Sequence, residues 1–275
     1  MRVNEAERLA AQMLTPFSDE PKTEARYITA HLAGCEPNRL ILSQCQIEQS
    51  SIEQIVDKRR KGIPLQYILG KWWFYKSEFL VGEGVLVPRQ DTETLVEAAL
   101  ELLGEIKNPT VCDLCSGSGC IAISIARERA DANVTAVEKY SDANLYLQKN
   151  IQHNGANNVR AVQYDVLDKP FGEYDLIVSN PPYIKNSDKK ELSKEVLSEP
   201  HTALFGGEDG LYFYRKITKI WKSALKPNGV LAFEVVINQD GAVAEILRSN
   251  GFINIGFKSD LIGIQRVVFG TVNKV

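Results

Sequence analysis

Through its first sixty residues the chain repeats apolar side chains every three or four positions, which is the period of an α-helix. Apolar stripes of this kind cover residues 6–13, 25–32 and 52–56. Because each stripe is short and is followed by polar or glycine-containing sequence, the pattern predicts three separate helices. Residues 1–64 are therefore expected to form a small all-α domain.

The third of these helices carries signals at both ends. It is predicted to begin at Ser50, with Glu53 three residues later completing a capping box, and to stop at Gly62-Ile63-Pro64. Its last turn is the basic run Lys58-Arg59-Arg60-Lys61. We interpret this run as a solvated helix end that suits the helix dipole. A contact with an acidic or RNA partner is the alternative.

Residues 65–90 change to an aromatic, β-prone pattern. Trp72–Tyr75 and Glu78–Val81 are followed by the turn sequence Gly82-Glu83-Gly84, and Val85–Pro88 is predicted to return as a strand. We expect a β-hairpin linker at 65–90 between the helical domain and a larger domain at 91–275. Asp91 is expected to cap the first helix of that domain.

From residue 110 onward, apolar runs alternate with helical patterns. This rhythm predicts an α/β fold, a doubly wound and mostly parallel sheet with helices on both faces. The last two strands are separated only by Ser259–Gly263, so they should pair antiparallel. The strands are predicted at 110–114, 133–138, 159–164, 174–179, 229–235, 252–257 and 264–269, and the helices at 119–129, 141–153, 210–225 and 240–249.

Composition narrows the class of protein. The 275-residue chain has a net charge of −3, which gives no sign of a general nucleic-acid surface. It has no apolar run of membrane-spanning length and a polar N-terminus, so we expect a cytoplasmic protein that does not bind membranes. Cys112, Cys115 and Cys120 have no nearby histidine, and we interpret them as small buried thiols rather than as metal ligands.

The turn after the first predicted strand of the sheet is rich in glycine. Asp113-Leu114-Cys115-Ser116-Gly117-Ser118-Gly119-Cys120 would let the backbone approach a ligand at a helix N-terminus. With Ala122 it fits a loose G-x-G-x-x-A fingerprint, and Glu138 ends the next strand where it would bind ribose hydroxyls. A dinucleotide dehydrogenase is therefore a competing interpretation at this stage.

Two carboxylates favour S-adenosylmethionine over a dinucleotide. Asp113 precedes the glycines, where it would face the amino group of a methionine moiety but would repel a pyrophosphate. Asp165-Val166 follows the third predicted strand of the sheet, where the pair would flank an adenine and accept from its exocyclic amine.

Asn180-Pro181-Pro182-Tyr183 follows a buried strand at the sheet edge where α/β proteins bind ligands. The Asn180 side-chain oxygen and the Pro181 carbonyl would accept both N–H groups of a planar amide or aryl amine and so aim its lone pair at a methyl donor. Pro182 would make the turn rigid, and the Tyr183 ring would lie beside the planar group. This is catalysis by orientation, and it requires no strong base. The tetrapeptide alone allows either adenine or glutamine.

The whole constellation resembles the HemK/PrmC family of peptide chain release factor N5-glutamine methyltransferases. Besides the tetrapeptide, three separated segments carry the resemblance, which covers about residues 62–270. In this sequence they read Gly62-Ile63-Pro64-Leu65-Gln66-Tyr67-Ile68-Leu69-Gly70, Val87-Pro88-Arg89-Gln90-Asp91-Thr92-Glu93 and Glu199-Pro200-His201-Thr202-Ala203-Leu204-Phe205-Gly206-Gly207.

The resemblance implies a Rossmann-like methyltransferase sheet and methyl transfer from S-adenosylmethionine, with S-adenosylhomocysteine as product, to the glutamine of the Gly-Gly-Gln motif in class I release factors. It implies no metal and no direct sequence-specific contact with nucleic acid. The helical domain would recognise the release factor. The cofactor would contact Asp113, Cys115, Ser116, Gly117, Ser118, Gly119, Glu138, Asp165, Val166 and Asn180, and the substrate would contact Asn180, Pro181, Pro182, Tyr183, Arg89 and Glu93.

Some positions depart from the family pattern, and two other functions stay open. Cys115 stands where the family usually has glycine, Val166 where some members have an aromatic residue, and Val235-Val236 follows Glu234 where a glycine often stands nearby. A nucleic-acid adenine N6-methyltransferase would use the same tetrapeptide, although it would need a larger positive cleft for a flipped base. The other alternative is a non-catalytic cofactor-binding interaction module.

Overall fold

The computed structural model describes residues 1–273, and within them the chain divides into two compact units. The helical unit comprises Met1–Lys71 together with the distant segment Ser193–Ser198, and the sheet unit comprises Trp72–Leu192 and the chain from Glu199 onward. The sequence did not predict that residues 193–198 return to the helical unit. No helix among the described residues is both long and apolar enough to cross a membrane.

The helical unit is built from amphipathic helices whose apolar stripes meet in one core. Helices α1, α2 and α3 contribute Ala6, Ile28 and Ile52, each fully buried. The segment Leu65–Leu69, which we expected in a hairpin linker, is a short helix that packs against this core through Leu65. The helices are α1 (Val3–Leu14), α2 (Pro21–Leu32), α3 (Gln49–Arg60) and α4 (Leu65–Leu69), with a 3-10 turn at Pro37–Leu42.

Two predictions about α3 are wrong. The helix begins at Gln49 without a side-chain cap, and Glu53 accepts a hydrogen bond from the Gln49 side chain at 2.8 Å instead of closing a capping box. The basic run at its end is not wholly solvated. Arg59 is buried, and its guanidinium binds the Glu24 carboxylate through two hydrogen bonds, of 2.8 and 2.7 Å, and the Glu195 carboxylate at 3.2 Å.

The sheet unit opens with a two-stranded sheet of β1 (Lys71–Phe74) and β2 (Ser77–Leu80). The turn expected at residues 82–84 is present, with the Val85 N–H donating to the Gly82 carbonyl. However, the strand predicted at Val85–Pro88 does not form. Val85 packs instead against Ala143 as part of a small apolar cluster, so burial and not strand pairing explains its apolar pattern.

Seven strands form the main sheet in the order β5-β4-β3-β6-β7-β9-β8. The first five are parallel and the last pair is antiparallel, which confirms the predicted architecture. The chain reverses its direction of winding between β3 and β6, so these neighbours form the topological switch point. The strands are β3 (Thr110–Leu114), β4 (Asn133–Glu138), β5 (Val159–Gln163), β6 (Tyr174–Ser179), β7 (Leu225–Glu234), β8 (Phe252–Ser259) and β9 (Gln265–Val272).

Helices cover both faces of the sheet because successive strand residues point to opposite sides. Leu176 and Val178 of β6 belong to one apolar core, and Ile177 between them belongs to the other. The first core includes α5 and α6, and the second includes α10 and α11. The helices are α5 (Glu93–Leu103), α6 (Cys120–Glu128), α7 (Ser141–His153), α8 (Lys194–Leu197), α9 (His201–Leu204), α10 (Tyr212–Trp221) and α11 (Asp240–Ser249).

Asp91 does not cap α5, contrary to our expectation. It lies within the 3-10 turn Gln90–Thr92, and its carboxylate pairs with the Arg266 guanidinium at 2.9 Å. The helix predicted at 210–225 ends earlier, at Trp221, and β7 begins at Leu225. The strand therefore begins four residues before the predicted start at residue 229. Tyr174 of β6 pairs with Leu225 and Leu176 pairs with Val230, so a register shift between them accommodates the additional residues of β7.

Candidate active site

A cleft opens at the carboxyl ends of β3, β4 and β6, next to the switch point. It holds about 980 Å³ of empty space, part of which is open to solvent. Ten of the residues that we expected in the site line it. They are Arg89, Cys115, Ser116, Gly117, Ser118, Glu138, Asp165, Val166, Asn180 and Pro182.

The loop between β3 and α6 forms one wall of the cleft through an unusual backbone. Cys115, Gly117 and Gly119 all have positive φ, of 62°, 54° and 81°. Glycine is favoured at position 119 by this conformation, and a Cβ there would also lie 2.4 Å from the end of the Leu147 side chain, which would have to move. At Cys115 the left-handed conformation costs about 1 kcal/mol or more, because that residue has a Cβ.

Glu138 ends β4 and holds this loop. Its Oε2 accepts the Gly117 N–H at 2.9 Å and its Oε1 accepts the Tyr140 N–H, also at 2.9 Å. Burial raises the pKa of Glu138, and the backbone N–H groups oppose that shift because they stabilise the carboxylate. Each oxygen keeps a second lone pair, so the same carboxylate can also accept hydroxyl groups from a ligand in the cleft.

Asp113 lies beneath the loop, fully buried and off the cleft wall. Its Oδ2 accepts the Ala122 N–H at 3.2 Å, and its backbone carbonyl accepts the Ser116 hydroxyl at 2.8 Å. Burial raises the pKa of Asp113 to about 7. Its Oδ1 has no hydrogen-bond partner within residues 1–273, so one buried acceptor remains unsatisfied under the loop.

Asp165 and Val166 stand at the opposite wall, after β5. Asp165 Oδ1 accepts the Leu167 N–H at 2.9 Å and Oδ2 pairs with the Lys139 ammonium at 2.7 Å. Burial opposes a charged Asp165, but these two contacts outweigh it and lower its pKa. Val166 is buried, and its carbonyl accepts the Trp221 indole N–H at 2.8 Å, which fixes the apolar surface that it presents.

Asn180 follows the end of β6 at the switch point, and hydrogen bonds of Ser179 and of its own side chain fix its position. Ser179 donates its hydroxyl to the Leu114 carbonyl at 2.7 Å, which ties β6 to β3. The Asn180 Nδ2 donates to the Thr92 hydroxyl oxygen at 3.3 Å. Because that amine is directed at Thr92, the side-chain oxygen of Asn180 is left as the acceptor.

Pro181 and Tyr183 do not line the cleft, although they flank residues that do. The Tyr183 carbonyl accepts the Gln239 side-chain amine at 3.1 Å, and the Tyr183 ring packs in the second core. Burial raises the pKa of its phenol. The ring is therefore placed to support the tetrapeptide from behind.

The segment 199–207 packs directly against the tetrapeptide. The Ile184 N–H donates to the Leu204 carbonyl at 2.8 Å, and the Gly206 N–H donates to the Ile184 carbonyl at 2.9 Å. A Cβ on Gly206 would lie 2.5 Å from the Pro182 carbonyl oxygen. Glycine is needed at position 206 because the two backbones approach too closely for any side chain.

Arg89 and Glu93, which the resemblance placed near the substrate, differ in placement. Arg89 lines the cleft and forms an ion pair with the buried carboxylate of Glu199, which also accepts the Val87 N–H at 2.9 Å. Two of the segments that suggested the family thus meet at this contact. Glu93 does not line the cleft; its carboxylate accepts the Tyr75 N–H at 2.8 Å and supports the turn between β1 and β2.

Sequence reasoning missed several residues of the cleft wall. Lys139 and Tyr140 directly follow Glu138, and Leu167 directly follows Val166, so position in the chain was a usable signal for these three. Others lie inside the segments that carry the family resemblance (Val87, Pro88, Thr92, Pro200, Thr202 and Ala203) or at or directly after the end of the glycine-rich segment (Cys120 and Ile121). Gly84, Leu86, Ala143 and Phe213 have no such signal, because the fold brings them to the cleft from other parts of the chain. The missed wall residues are Gly84, Leu86, Val87, Pro88, Thr92, Cys120, Ile121, Lys139, Tyr140, Ala143, Leu167, Pro200, Thr202, Ala203 and Phe213.

The three cysteines near the loop differ in burial. Cys112 and Cys120 are buried, as we expected of small core thiols, and Cys115 is half-buried. Burial raises the pKa of Cys120 to about 12, which suppresses the reactive thiolate. Within the part of the chain that the structure describes, no three His, Cys, Asp or Glu side chains are grouped so that they could hold a metal ion.

Two family models match this chain. The family described as "PrmC N-terminal domain" matches residues 5–70, and the "Methyltransferase small domain" matches residues 90–213. The second range contains the loop after β3 and the tetrapeptide. The two matches therefore span both units.

Curated relatives give the family more sharply. A "Release factor glutamine methyltransferase" of Clostridium acetobutylicum is 41% identical over 231 residues, which cover 81% of this chain and 81% of that protein. A protein of the same name from Fusobacterium nucleatum is 42% identical over 220 residues, covering 78% of this chain. That match spans only 62% of the Fusobacterium protein's length.

A solved structure agrees at the level of the fold. The 16S rRNA N2 G1207 methyltransferase of T. thermophilus, in complex with AdoMet and guanosine, superposes with a TM-score of 0.52. It is 21% identical and covers 74% of this chain and 50% of that one. At that identity the match supports a shared methyltransferase sheet and nothing finer.

Proposed function

The chain belongs to the release factor glutamine methyltransferase family, and we propose that it transfers the methyl group of S-adenosylmethionine to the N5 amide nitrogen of the glutamine in the Gly-Gly-Gln motif of class I release factors. The observation that carries this proposal is the placement of Asn180. Its side-chain oxygen is left as an acceptor at the wall of the cleft that the glycine-rich loop, Glu138 and Asp165 also line. S-adenosylhomocysteine would be the product.

The residues around the cleft fit S-adenosylmethionine. Glu138 has free lone pairs for two ribose hydroxyls, and Asp165 with Val166 offers an acceptor beside an apolar surface for adenine. The loop from Cys115 to Gly119 would lie along the methionine part. When bound, the cofactor supplies an electrophilic methyl group on a sulfonium.

Asp113 would act mainly through that loop. Because it is fully buried and bound to the Ala122 N–H, it supports the loop from below. Its unsatisfied Oδ1 is the group that a nearby ammonium would stabilise. The direct contact with the cofactor's amino group that the sequence suggested stays a prediction.

Orientation would provide most of the catalysis by this chain. The Asn180 oxygen and the Pro181 carbonyl would each accept one N–H of the glutamine amide, which turns the nitrogen lone pair toward the methyl group. Pro182 restricts the turn, and Tyr183 supports it. The proton leaves the nitrogen after the methyl group has been transferred, so no strong general base is needed at the cleft.

One experiment separates this reaction from adenine methylation. The protein is incubated with labelled S-adenosylmethionine and either a class I release factor, the same factor with its motif glutamine changed to glutamate, or adenine-containing DNA. We expect label only on the unmodified release factor. Label on DNA alone would contradict the proposal, and label on none of the three would favour a non-catalytic binding module.

We also propose that residues 1–64 bind the release factor at a surface away from the reacting glutamine. The support is an exposed apolar pair on this unit, Ile41 at 86% and Leu42 at 78% exposure. Changing both to serine should raise KM for the whole release factor while methylation of a short Gly-Gly-Gln peptide is unchanged. Equal effects on both substrates would contradict this role.

A further inference from the structure

Glu234 is a buried carboxylate that the reaction outlined so far does not use. It ends β7, which lies beside β6 in the sheet, so it reaches the same edge as Asn180. It is only 4% exposed, and its Oε2 has no hydrogen-bond partner within residues 1–273. A charge in such a place is costly, so its retention next to the proposed amide-binding residue calls for a physical reason.

Two side chains from separate parts of the chain lie near this carboxylate. The Asn180 amine donates to the Thr92 hydroxyl oxygen at 3.3 Å, and the Thr92 and Asn180 side chains both favour the charged form of Glu234, which lowers its pKa. An ionised carboxylate has no hydrogen to donate, so it can only accept. Thr92 must therefore point its O–H, and Asn180 its N–H, toward Glu234.

This arrangement removes an ambiguity that every asparagine has. An asparagine amide can rotate by half a turn and exchange its donor and acceptor ends at little cost unless its neighbours distinguish them. A carboxylate on one side does distinguish them, because the amide oxygen would be repelled there. The donor end is held inward, and only the acceptor end can meet a ligand.

We propose that Glu234 is a positioning residue that holds the Asn180 amide in the single orientation in which its oxygen can accept the substrate N–H. This inference rests on the proposed function of Asn180. Thr92 transmits part of the effect, because its hydroxyl oxygen accepts from Asn180 and its side chain favours the charged form of Glu234. Glu234 itself contacts neither substrate nor cofactor, since it does not line the cleft.

The charge of Glu234 is set by its surroundings. Burial raises its pKa to about 7; Asp91 adds to the rise, and Thr92, Arg266 and Asn180 oppose it. The Tyr183 and Tyr214 phenols also face it, but burial raises the pKa of both, so they are neutral near pH 7. When protonated, Glu234 can donate a hydrogen bond and no longer dictates the orientation of Asn180. Turnover should therefore fall as the pH drops below about 7.

The test compares Glu234→Gln with Glu208→Gln, which changes an exposed glutamate of the same unit. We expect Glu234→Gln to lower kcat at least tenfold, to keep the Kd for S-adenosylmethionine within about twofold, and to lose the acidic fall in the kcat profile. The Glu208 variant should behave as wild type. An unchanged kcat and pH profile in Glu234→Gln would overturn the proposal, as would a parallel loss of cofactor affinity and thermal stability.

Thr92 gives a second test that leaves Glu234 in place. Thr92→Ser keeps the hydroxyl and should retain most of the turnover, whereas Thr92→Val should lower kcat with cofactor affinity kept. Equal turnover in the two variants would overturn the role proposed for the Thr92 hydroxyl. Labelling of the release factor by the wild-type protein tests the proposed function separately, so wild-type labelling with no effect of Glu234→Gln would reject this inference alone.

Discussion

The carboxylate of Glu138 accepts the backbone N–H of Gly117 at 2.9 Å, which joins the end of β4 to the loop after β3. The residue expected to bind the ribose is thus also the residue that shapes the loop expected to bind the methionine part. The two halves of the proposed cofactor site are held by one side chain. They should not be separable by mutation at that position.

Replacing Glu138 by glutamine should weaken cofactor binding. A hydrogen bond to a charged group contributes roughly 1.5–3 kcal/mol, so the Kd for S-adenosylmethionine should rise by about tenfold or more. Isothermal titration calorimetry measures this directly. Glu173→Gln, an exposed carboxylate of the same unit, is the control. An unchanged Kd in Glu138→Gln would contradict the assignment.

Asn180→Ala should separate chemistry from cofactor binding. Without the side-chain acceptor the glutamine amide loses one of its two orienting hydrogen bonds, and turnover should fall at least about tenfold. The Kd for the cofactor should remain within a few-fold. Steady-state methylation and calorimetry report the two effects, with the exposed Asn157→Ala as the control. Undiminished turnover would exclude the proposed role.

Asp113 should make the free energy of unfolding depend on pH. Its folded pKa is about 7, whereas an unfolded aspartate has a pKa of about 3.9. Between these values the folded state binds more protons, so the free energy of unfolding should decrease as the pH rises from about 4 to about 7. The full difference of about 3 units corresponds to about 4 kcal/mol.

Urea unfolding of Asp113→Asn at several pH values tests this dependence. The variant should lose stability less steeply than wild type across that window, because its amide does not titrate. Part of the slope should remain, since the pKa of Glu234 is also about 7. Asp168→Asn at an exposed position should leave the wild-type slope in place. Identical slopes for Asp113→Asn and wild type would refute the prediction.

Arg59→Met should destabilise the helical unit. The change leaves Glu24, whose side chain is 16% exposed, without its partner, and we expect a loss of about 2–4 kcal/mol in the free energy of unfolding. Arg60→Met is a matched control one residue away, because Arg60 is 57% exposed and its pair with Asp57 contributes about 0.5 kcal/mol or less. Similar losses in both variants would show that the Arg59 pair is not the stabilising contact.

Most of the sheet could be predicted because its signals are local. A strand such as Tyr174–Ser179 contains the apolar run Leu176-Ile177-Val178 and is followed within two residues by a proline, and the loop before Cys120 is marked by its glycines. The antiparallel pairing of the last two strands was predicted from the shortness of the connection between them. Predictions failed where an apolar or charged pattern has a second explanation, as at Val85, which is buried without being in a strand.

The sequence by itself determined the order of the sheet strands and of their main helices after residue 110, the position of Asn180 at a strand end, and the glycine-rich loop, because each depends on residues within a few positions of one another. The tertiary structure decided what distant residues do together. Arg59 is buried because Glu195, 136 residues away, returns to meet it, and Asn180 is oriented by Thr92, 88 residues away. No local pattern encodes such contacts, since they exist only after the sheet has brought its strand ends to one edge.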